Sequence, residues 1–466
     1  MSKTKYSSQH DLMTKAPVPW LILKLAIPTT ISMLVTNLYN MADTYFVGGL
    51  GTSASGATGI VFGLMAVIQA GGFMFGQGAA TTIARKLGAR DNESANEYAT
   101  TAFGTALFMG IVLMILGLVF INPFMRLLGS TDTILPYARA YATCILIAAP
   151  AMLVSCVFNN ILRFEGKAVF SMIGLISGGF LNIGLDALFI LKMGMGIEGA
   201  GIATAISQYV SCIILGSMFV LHKCESVISL KYFKADKRII GNIIKRGLPS
   251  LIRQGLGSIS VMVLNHSCGM YGDAAIAAMS IVSRIINFLF SVGLGVGQGY
   301  QPVSGFSYGA GKYSRVKKGF FFTWIFATAL LGTCALIAMG FAGPIVAQFR
   351  DDEEVIKIGA VAMRYQCISL WFIPFTVCNN MMFQSTGKSL QASILATFRS
   401  GACFIPIILV LSRVAGLQGI EISQAIADVV ASLACIPFTV KYFKELPKDI
   451  PDGMSLKEQA RRLNVK

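Results

Sequence analysis

Two aspartates stand in stretches of sequence otherwise apolar enough to lie in lipid, and these are the residues best placed to do chemistry. Asp43 closes the run Asn37-Leu38-Tyr39-Asn40-Met41-Ala42-Asp43, where helical spacings of three and four put Tyr39, Asn40 and Asp43 on one face. Asp186 follows Asn182 by one turn, and Thr204 and Gln208 repeat that spacing. A carboxylate inside hydrocarbon is costly and persists only with a partner, a proton or a bound cation. The chemistry such a cluster offers is reversible capture of a proton or a small ion. Asp43, Asn182, Asp186 and Thr204 carry the hard oxygens that sodium prefers, and no other metal site is expected. Covalent catalysis has no support in the sequence. No His and Glu are spaced as metal ligands and no nucleophile stands beside a base, so the chain does not read as an enzyme and calls for no cofactor beyond a coupling ion, H+ or Na+.

The elements that must position these residues are membrane helices. Of the 466 residues 55% are hydrophobic and only 13% charged, with a mean hydropathy of +0.67, whereas a soluble domain needs far more polar surface. Apolar stretches of about 20 residues or more, the length that crosses a bilayer, run over 21–47, 54–84, 98–121, 136–160, 168–191 and 197–221. Six more follow at 248–268, 274–305, 319–342, 358–383, 389–411 and 417–440. The second set repeats the first. At a constant offset of 221 residues, Pro28, Gly48, Gly51, Gly72, Gly76, Gln77, Gly78 and Gly88 meet Pro249, Gly269, Gly272, Gly293, Gly297, Gln298, Gly299 and Gly309. A weaker echo at offset 220 joins Gly196 and Gly199 to Gly416 and Gly419. The expected fold is all-α and integral to the membrane: twelve transmembrane helices in two homologous six-helix bundles, related by a pseudo-twofold axis along the membrane normal. The expected domains are an amino-terminal lobe over 1–222, a linker over 223–246, a carboxy-terminal lobe over 247–440 and a basic tail over 441–466.

Lys and Arg crowd the connections at 85–97, 163–167, 223–246 and 312–318, while the alternate loops hold only Arg126, Lys192, Arg350, Lys357 and Arg413. The first set therefore faces the cytoplasm, and both termini with it. The formal charge of +16 is then mostly topology and attraction to anionic lipid heads rather than nucleic-acid binding. No cleavage pattern follows the polar residues 1–19. The ten cysteines show no Cys-x-x-Cys spacing and read as small apolar residues. Short basic tails and compact loops point to a bacterial cytoplasmic membrane, and nothing demands an oligomer, so a monomer in lipid is expected.

The repeat also supplies an internal control. Asp43 corresponds to Leu264, Tyr39 to Ser260, and Asp186 to Pro406 or Ile407. A scaffold requirement would recur in both copies, so the acids belong to a function of the amino-terminal half. The carboxy-terminal half instead carries Arg253, Arg284 and Arg399. These suit contact with an anionic group, or pairing and snorkelling, and Glu421 and Asp428 could neutralise them or supply a secondary proton site. Gly293 to Gly299 only superficially resembles a dinucleotide fingerprint, because no strand precedes it. His266 reads as interfacial. The candidates for a substrate cavity are Tyr39, Asn40, Met41, Asn160, Gln208, Met262 and Arg284, with methionines giving adaptable walls.

At these residues the chain resembles the multidrug and toxic compound extrusion (MATE) transporters. The resemblance covers essentially all twelve helices. It is carried by Asn40-Met41-Ala42-Asp43-Thr44-Tyr45-Phe46-Val47-Gly48, by Asn182-Ile183-Gly184-Leu185-Asp186-Ala187-Leu188-Phe189-Ile190, and by Gly297-Gln298-Gly299-Tyr300-Gln301-Pro302 with Gly305 and Tyr308-Gly309-Ala310. It implies a cation-coupled antiporter that expels amphipathic organic cations. In DinF-like branches the coupling residues lie in the amino-terminal lobe and match Asp43, Asn182, Asp186 and Thr204. In NorM-like branches an acid of the carboxy-terminal lobe is also used, but 248–268 and 358–383 contain no Asp or Glu. Coupling in the amino-terminal lobe is therefore expected. The alternative within the superfamily is a flippase for lipid-linked sugars or other anionic lipids.

Overall fold

The computed structural model describes Tyr6 and residues 8–451; the last fifteen residues of the expected basic tail lie outside the described residues. Twelve spanning helices are present among them: α1 Val18–Gly48, α2 Thr52–Gly88, α3 Asn92–Val119, α4 Leu135–Phe164, α5 Ala168–Lys192, α6 Gly196–Val220, α7 Lys237–Gly269, α8 Asp273–Gly309, α9 Tyr313–Gly340, α10 Glu353–Ser369 with Ile373–Ser385, α11 Ser389–Val414 and α12 Gly416–Glu445. The protein is a multi-pass membrane protein. Ten of these helices are long and apolar enough to cross a bilayer and the bent pair of α10 makes an eleventh. The twelfth, α7, is 33 residues long, and Arg253, Gln254, Asn265 and His266 lower its hydropathy.

The duplication is written in the backbone as well as in the letters. Left-handed conformations occur at Gly51 (φ +111°) and Gly272 (+94°), at Arg90 (+59°) and Gly311 (+71°), at Gly166 (+83°) and Gly387 (+86°), and at Gly196 (+60°) and Gly416 (+61°). Each pair is separated by 221 residues, or by 220 in the last case. These are turns between helices, where a chain that reverses sharply needs φ > 0 and glycine adopts it without a Cβ clash. Arg90 is the exception, tolerated in a loop where Asp91 caps α3 by accepting from Ser94 N (3.2 Å) and pairs with Lys86 (2.8 Å). Burial works against the charged form of Asp91, but the bonds from Lys86 and Ser94 prevail and hold its carboxyl below the usual range.

The structure departs from the apolar pattern in three places, and two of them have a physical cause in the sequence. α7 starts at Lys237, so that residues 237–246 of the expected linker are already helical, because a helix need not stop where the hydrocarbon does. α10 is broken by 47° between Ser369 and Ile373, where Pro374 disfavours helical geometry at the residue before it and donates no N–H. α5 and α11 widen to π-helix over Ala187–Lys192 and Phe398–Cys403.

The chain divides into two compact units, one made of residues 31–87 and 91–251, the other of 1–30, 88–90 and 252–466. In the first, α4 is the most enclosed helix, with 78% of its most apolar window buried, and α3 and α6 pack along it. Small residues permit the approach: a Cβ on Gly110 would stand 2.5 Å from the Cα of Pro150, and one on Gly201 would stand 2.9 Å from the Cβ of Cys144. In the second unit α8 packs on α9 and α10 around a core that includes Met279, Val282, Leu331, Met363 and Phe404.

The connection between α6 and α7 is bound down within the first unit. Glu165 is fully buried and accepts from Glu225 N (2.7 Å), Ser226 N (3.0 Å) and the Ser226 hydroxyl. Burial pushes its carboxyl up to about 7 against the pull of these donors. Val227 N donates to Asn96 Oδ1 (2.7 Å), Lys234 pairs with Glu97, and Phe233 lies against Gly104.

Candidate functional site

The first unit brings the four coupling candidates together. α1 delivers Asp43, α5 delivers Asn182 and Asp186, and α6 delivers Thr204; all four side chains are buried, Asp186 completely. Asn182 Nδ2 donates to Thr204 Oγ1 (3.3 Å), which leaves the carbonyl oxygen of Asn182 available as an acceptor. α4 adds Tyr141, fully buried, whose hydroxyl donates to Asp43 Oδ2 (3.3 Å) and which also feels the charge of Asp186. The two aspartates lie within electrostatic range of each other.

The local sequence explains the meeting. α5 presents glycines to its neighbours: a Cβ on Gly178 would stand 2.9 Å from Ser211 Cβ of α6, and one on Gly179 would stand 3.0 Å from the ring of Tyr39 of α1. Ser211 also donates to Gly174 O (2.9 Å). With α1, α5 and α6 this close, side chains as short as Asp, Asn and Thr reach a common point.

Electrostatically the site is under-compensated. Asp43 Oδ1 and both carboxylate oxygens of Asp186 are buried without a hydrogen-bond donor, and among the described residues neither acid has a basic partner. A buried charged acceptor left unsatisfied costs more than the roughly 1–3 kcal/mol of a neutral one. The residues present fit a proton or a small hard cation, with two carboxylates, an amide oxygen and a hydroxyl as ligands.

The other candidates are dispersed. Tyr39 is half-buried, sits near Asp43 and so shares its face, as the spacing predicts. Asn40 and Gln208 are half-buried, while Met41 is exposed. Asn160 is fully buried and committed within its own helix, donating to Cys156 O (2.7 Å) and accepting from Arg163 (2.6 Å). Met262 and Arg284 belong to the second unit, where both are exposed. Sequence reasoning does not single out Tyr141; its only signal is a tyrosine one turn after Tyr137 in an apolar stretch.

In the second unit, Arg399 Nε donates to Asp428 Oδ1 (2.9 Å) and the guanidinium lies over the Phe290 ring at 4.1 Å. Asp428 thus neutralises one arginine as expected. Glu421 does not: it is buried, forms no ion pair among the described residues and leaves Oε2 without a partner.

Comparison with known proteins sets these sites in a family. The MatE family model matches residues 28–188 and again 249–410. The multidrug export protein MepA of Staphylococcus saprophyticus is 26% identical over 416 residues, covering 89% of this chain and 92% of its own length. A MATE crystal structure in complex with MaL6 superposes with a TM-score of 0.90 at 28% identity, over 94% of this chain and 99% of that one. A MOP superfamily transporter from Pyrococcus furiosus, described as having a binding pocket of reverse polarity that suggests a different function, superposes with a TM-score of 0.89 at 28% identity, over 95% and 99%. With both copies of the repeat matched and well over half of the sequence covered, the chain belongs to the MatE family and is a MATE transporter of the MepA-like kind.

Proposed function

We propose that the protein is a multidrug efflux antiporter that exports amphipathic organic cations in exchange for inward protons, with sodium as the alternative coupling ion. The observation that carries this reading is the buried, unpaired Asp43 and Asp186 with three carboxylate oxygens lacking donors. Its support from relatives is the export function in the name of MepA. The membrane is the bacterial cytoplasmic membrane, with both termini inside and the protein acting as a monomer.

The mechanism follows from charge balance. A proton entering from outside neutralises one of the two acids, weakens the electrostatic attraction for a cationic substrate and so favours its release outward. Loss of the proton to the cytoplasm restores the negative pair and the affinity for the next cation. Tyr141 orients Asp43 through its hydrogen bond, Asn182 and Thr204 hold each other beside the acids, and alternating exposure of the site keeps the two exchanges out of phase. Exchange of one proton for one monovalent cation moves no net charge, so the pH difference drives it, each pH unit being worth about 1.36 kcal/mol or tenfold in cation; a second proton per cation would add about 2.3 kcal/mol per 100 mV. A sodium ion would be held by Asp43, Asn182, Asp186 and Thr204 and would take the proton's place in the same cycle.

The test is ethidium efflux from proteoliposomes under an imposed pH or sodium gradient, comparing wild type with Asp43→Asn and Asp186→Asn. Gradient-driven efflux is lost in both folded variants, and the gradient that works names the ion. Normal pumping by both variants sinks the coupling site. Failure of the wild type to move any cation under either gradient moves the reading to the flippase of anionic lipids.

A further inference from the structure

The second unit contains a feature that cation export does not use. Arg253 on α7 and Arg399 on α11 line one small cavity of about 30 Å³ together with Phe290, Thr376, Asn380 and Ser400. Arg253 is half-buried, and among the described residues it has no acidic partner. Its Nη1 donates to Asn380 Oδ1 (3.3 Å), and Asn380 is itself held by donating to Ala392 O (2.7 Å). The amide is therefore a fixed post for the guanidinium rather than a counter-ion.

The ion pair of Arg399 does not neutralise the cavity. Asp428 is held by two donors, Arg399 Nε on one oxygen and Gln424 Nε2 (3.2 Å) on the other. Arg399 spends one nitrogen on that bond and keeps its remaining N–H groups. Two guanidinium forks thus face one cavity with a single carboxylate between them, an excess of one positive charge and of several planar donors. Planar forks match oxyanions bidentately. Phe290, stacked on Arg399, and the apolar side chains Leu294, Val377 and Met381 of the same cavity supply a surface for an acyl chain or an aromatic ring.

The repeat shows that the scaffold does not require these charges. The position equivalent to Arg253 is Ser32, and that equivalent to Arg399 is Gly178 or Gly179, both occupied in helix contacts. Arginine at both places in one copy only is the signature of a ligand rather than of the fold.

We infer that the Arg253 and Arg399 cavity is an oxyanion subsite that binds the carboxylate or phosphate of an amphipathic molecule. It goes beyond the cation-coupling reading and does not rest on it, since binding is read without transport. The positive excess attracts the anion, the two forks fix it, and Phe290 with its apolar neighbours takes the adjoining hydrophobic part.

The experiment uses the purified full chain in an uncharged maltoside detergent, titrated with the fluorescent carboxylate 11-(dansylamino)undecanoic acid and, separately, with its methyl ester. Saturable binding of the acid and not of the ester is expected. Arg253→Gln weakens it at least about tenfold, the effect of losing a hydrogen bond to a charged group, and Arg253→Lys, which keeps the charge but not the fork, falls between. Because Arg253 is not ion-paired, its replacement leaves no buried charge behind, and an unchanged melting temperature verifies that. Displacement of the probe by phosphatidylglycerol but not by inorganic phosphate supports the subsite with a lipid headgroup as its source, and displacement by both supports it with a free anion. Equal binding of acid and ester, or undiminished binding by Arg253→Gln, overturns the inference.

Discussion

The two units use the same turns and opposite charges. In each, a spanning helix widens to π geometry beside a functional candidate: Ala187–Lys192 directly follows Asp186, and Phe398–Cys403 contains Arg399. Such widenings turn a side chain off the regular helical register and concentrate at functional sites. In the first unit the residue is an acid with no partner; in the second it is a base whose acid, Asp428, is pinned by two donors. Left-handed residues recur at equivalent positions in both halves of the sequence. Turn geometry has survived the duplication because few residues tolerate φ > 0, whereas buried charge, free of that constraint, has been reassigned.

That contrast can be broken at five points, taken from the largest effect down. Asp186→Asn reduces gradient-driven efflux by at least about tenfold, as removal of an essential proton-carrying group does. Leu264→Asp, at the position equivalent to Asp43, does not restore transport to Asp43→Asn in the same assay; restoration would show the two units to be interchangeable. Asp428→Ala leaves Arg399 without its carboxylate and lowers stability by about 3 kcal/mol in denaturation, while Arg253→Gln, which breaks no ion pair, changes it little. A smaller effect separates the first unit by pH. Since burial raises Glu165 to about 7, the folded segment binds more protons than the open one. Its stabilisation is complete below the ordinary glutamate range and is lost as pH rises through 7. Hydrogen exchange at the amides of Glu225 and Ser226 is therefore faster at pH 8 than at pH 5.5, after correction for intrinsic rates, by about 2 kcal/mol of opening free energy. The smallest and most symmetrical effect is at the turns. Gly166→Ala and Gly387→Ala each cost about 1 kcal/mol, and a marked inequality would mean that the shared φ values conceal different constraints.

Much of this was readable in the sequence because the strongest signals were strong ones. Twelve apolar stretches, a repeat at constant offset and two aspartates in lipid require no tertiary information. Spacing along a helix also placed Tyr39 beside Asp43, and Asn182 beside Asp186. What escaped depends on pairs of distant residues. Tyr141 reaches Asp43 across 98 positions, and no local pattern marks it. Asn160 looks like a cavity residue by type, yet Cys156 and Arg163 of its own helix consume it. The start of α7 at Lys237 was hidden because hydropathy reports the edge of the hydrocarbon and not the end of the helix. The role of Glu165 was hidden for a related reason: a polar loop residue is ordinarily solvated, and only the folded linker buries it.

The bound-down linker has a consequence for how the chain meets proteases. The sixteen residues between Val220 and Lys237 could pay out about 55 Å if fully extended, and Lys223, Lys231 and Lys234 are ready-made trypsin sites. Cleavage requires several consecutive residues to lift into an extended strand, and here Glu165, Asn96, Thr100 and Thr101 hold the backbone at residues 225–227, 229 and 234. The longest connection in the molecule is thus a poor substrate for nicking while it stays bound, and the rate at which trypsin cuts it becomes a direct clock for its release.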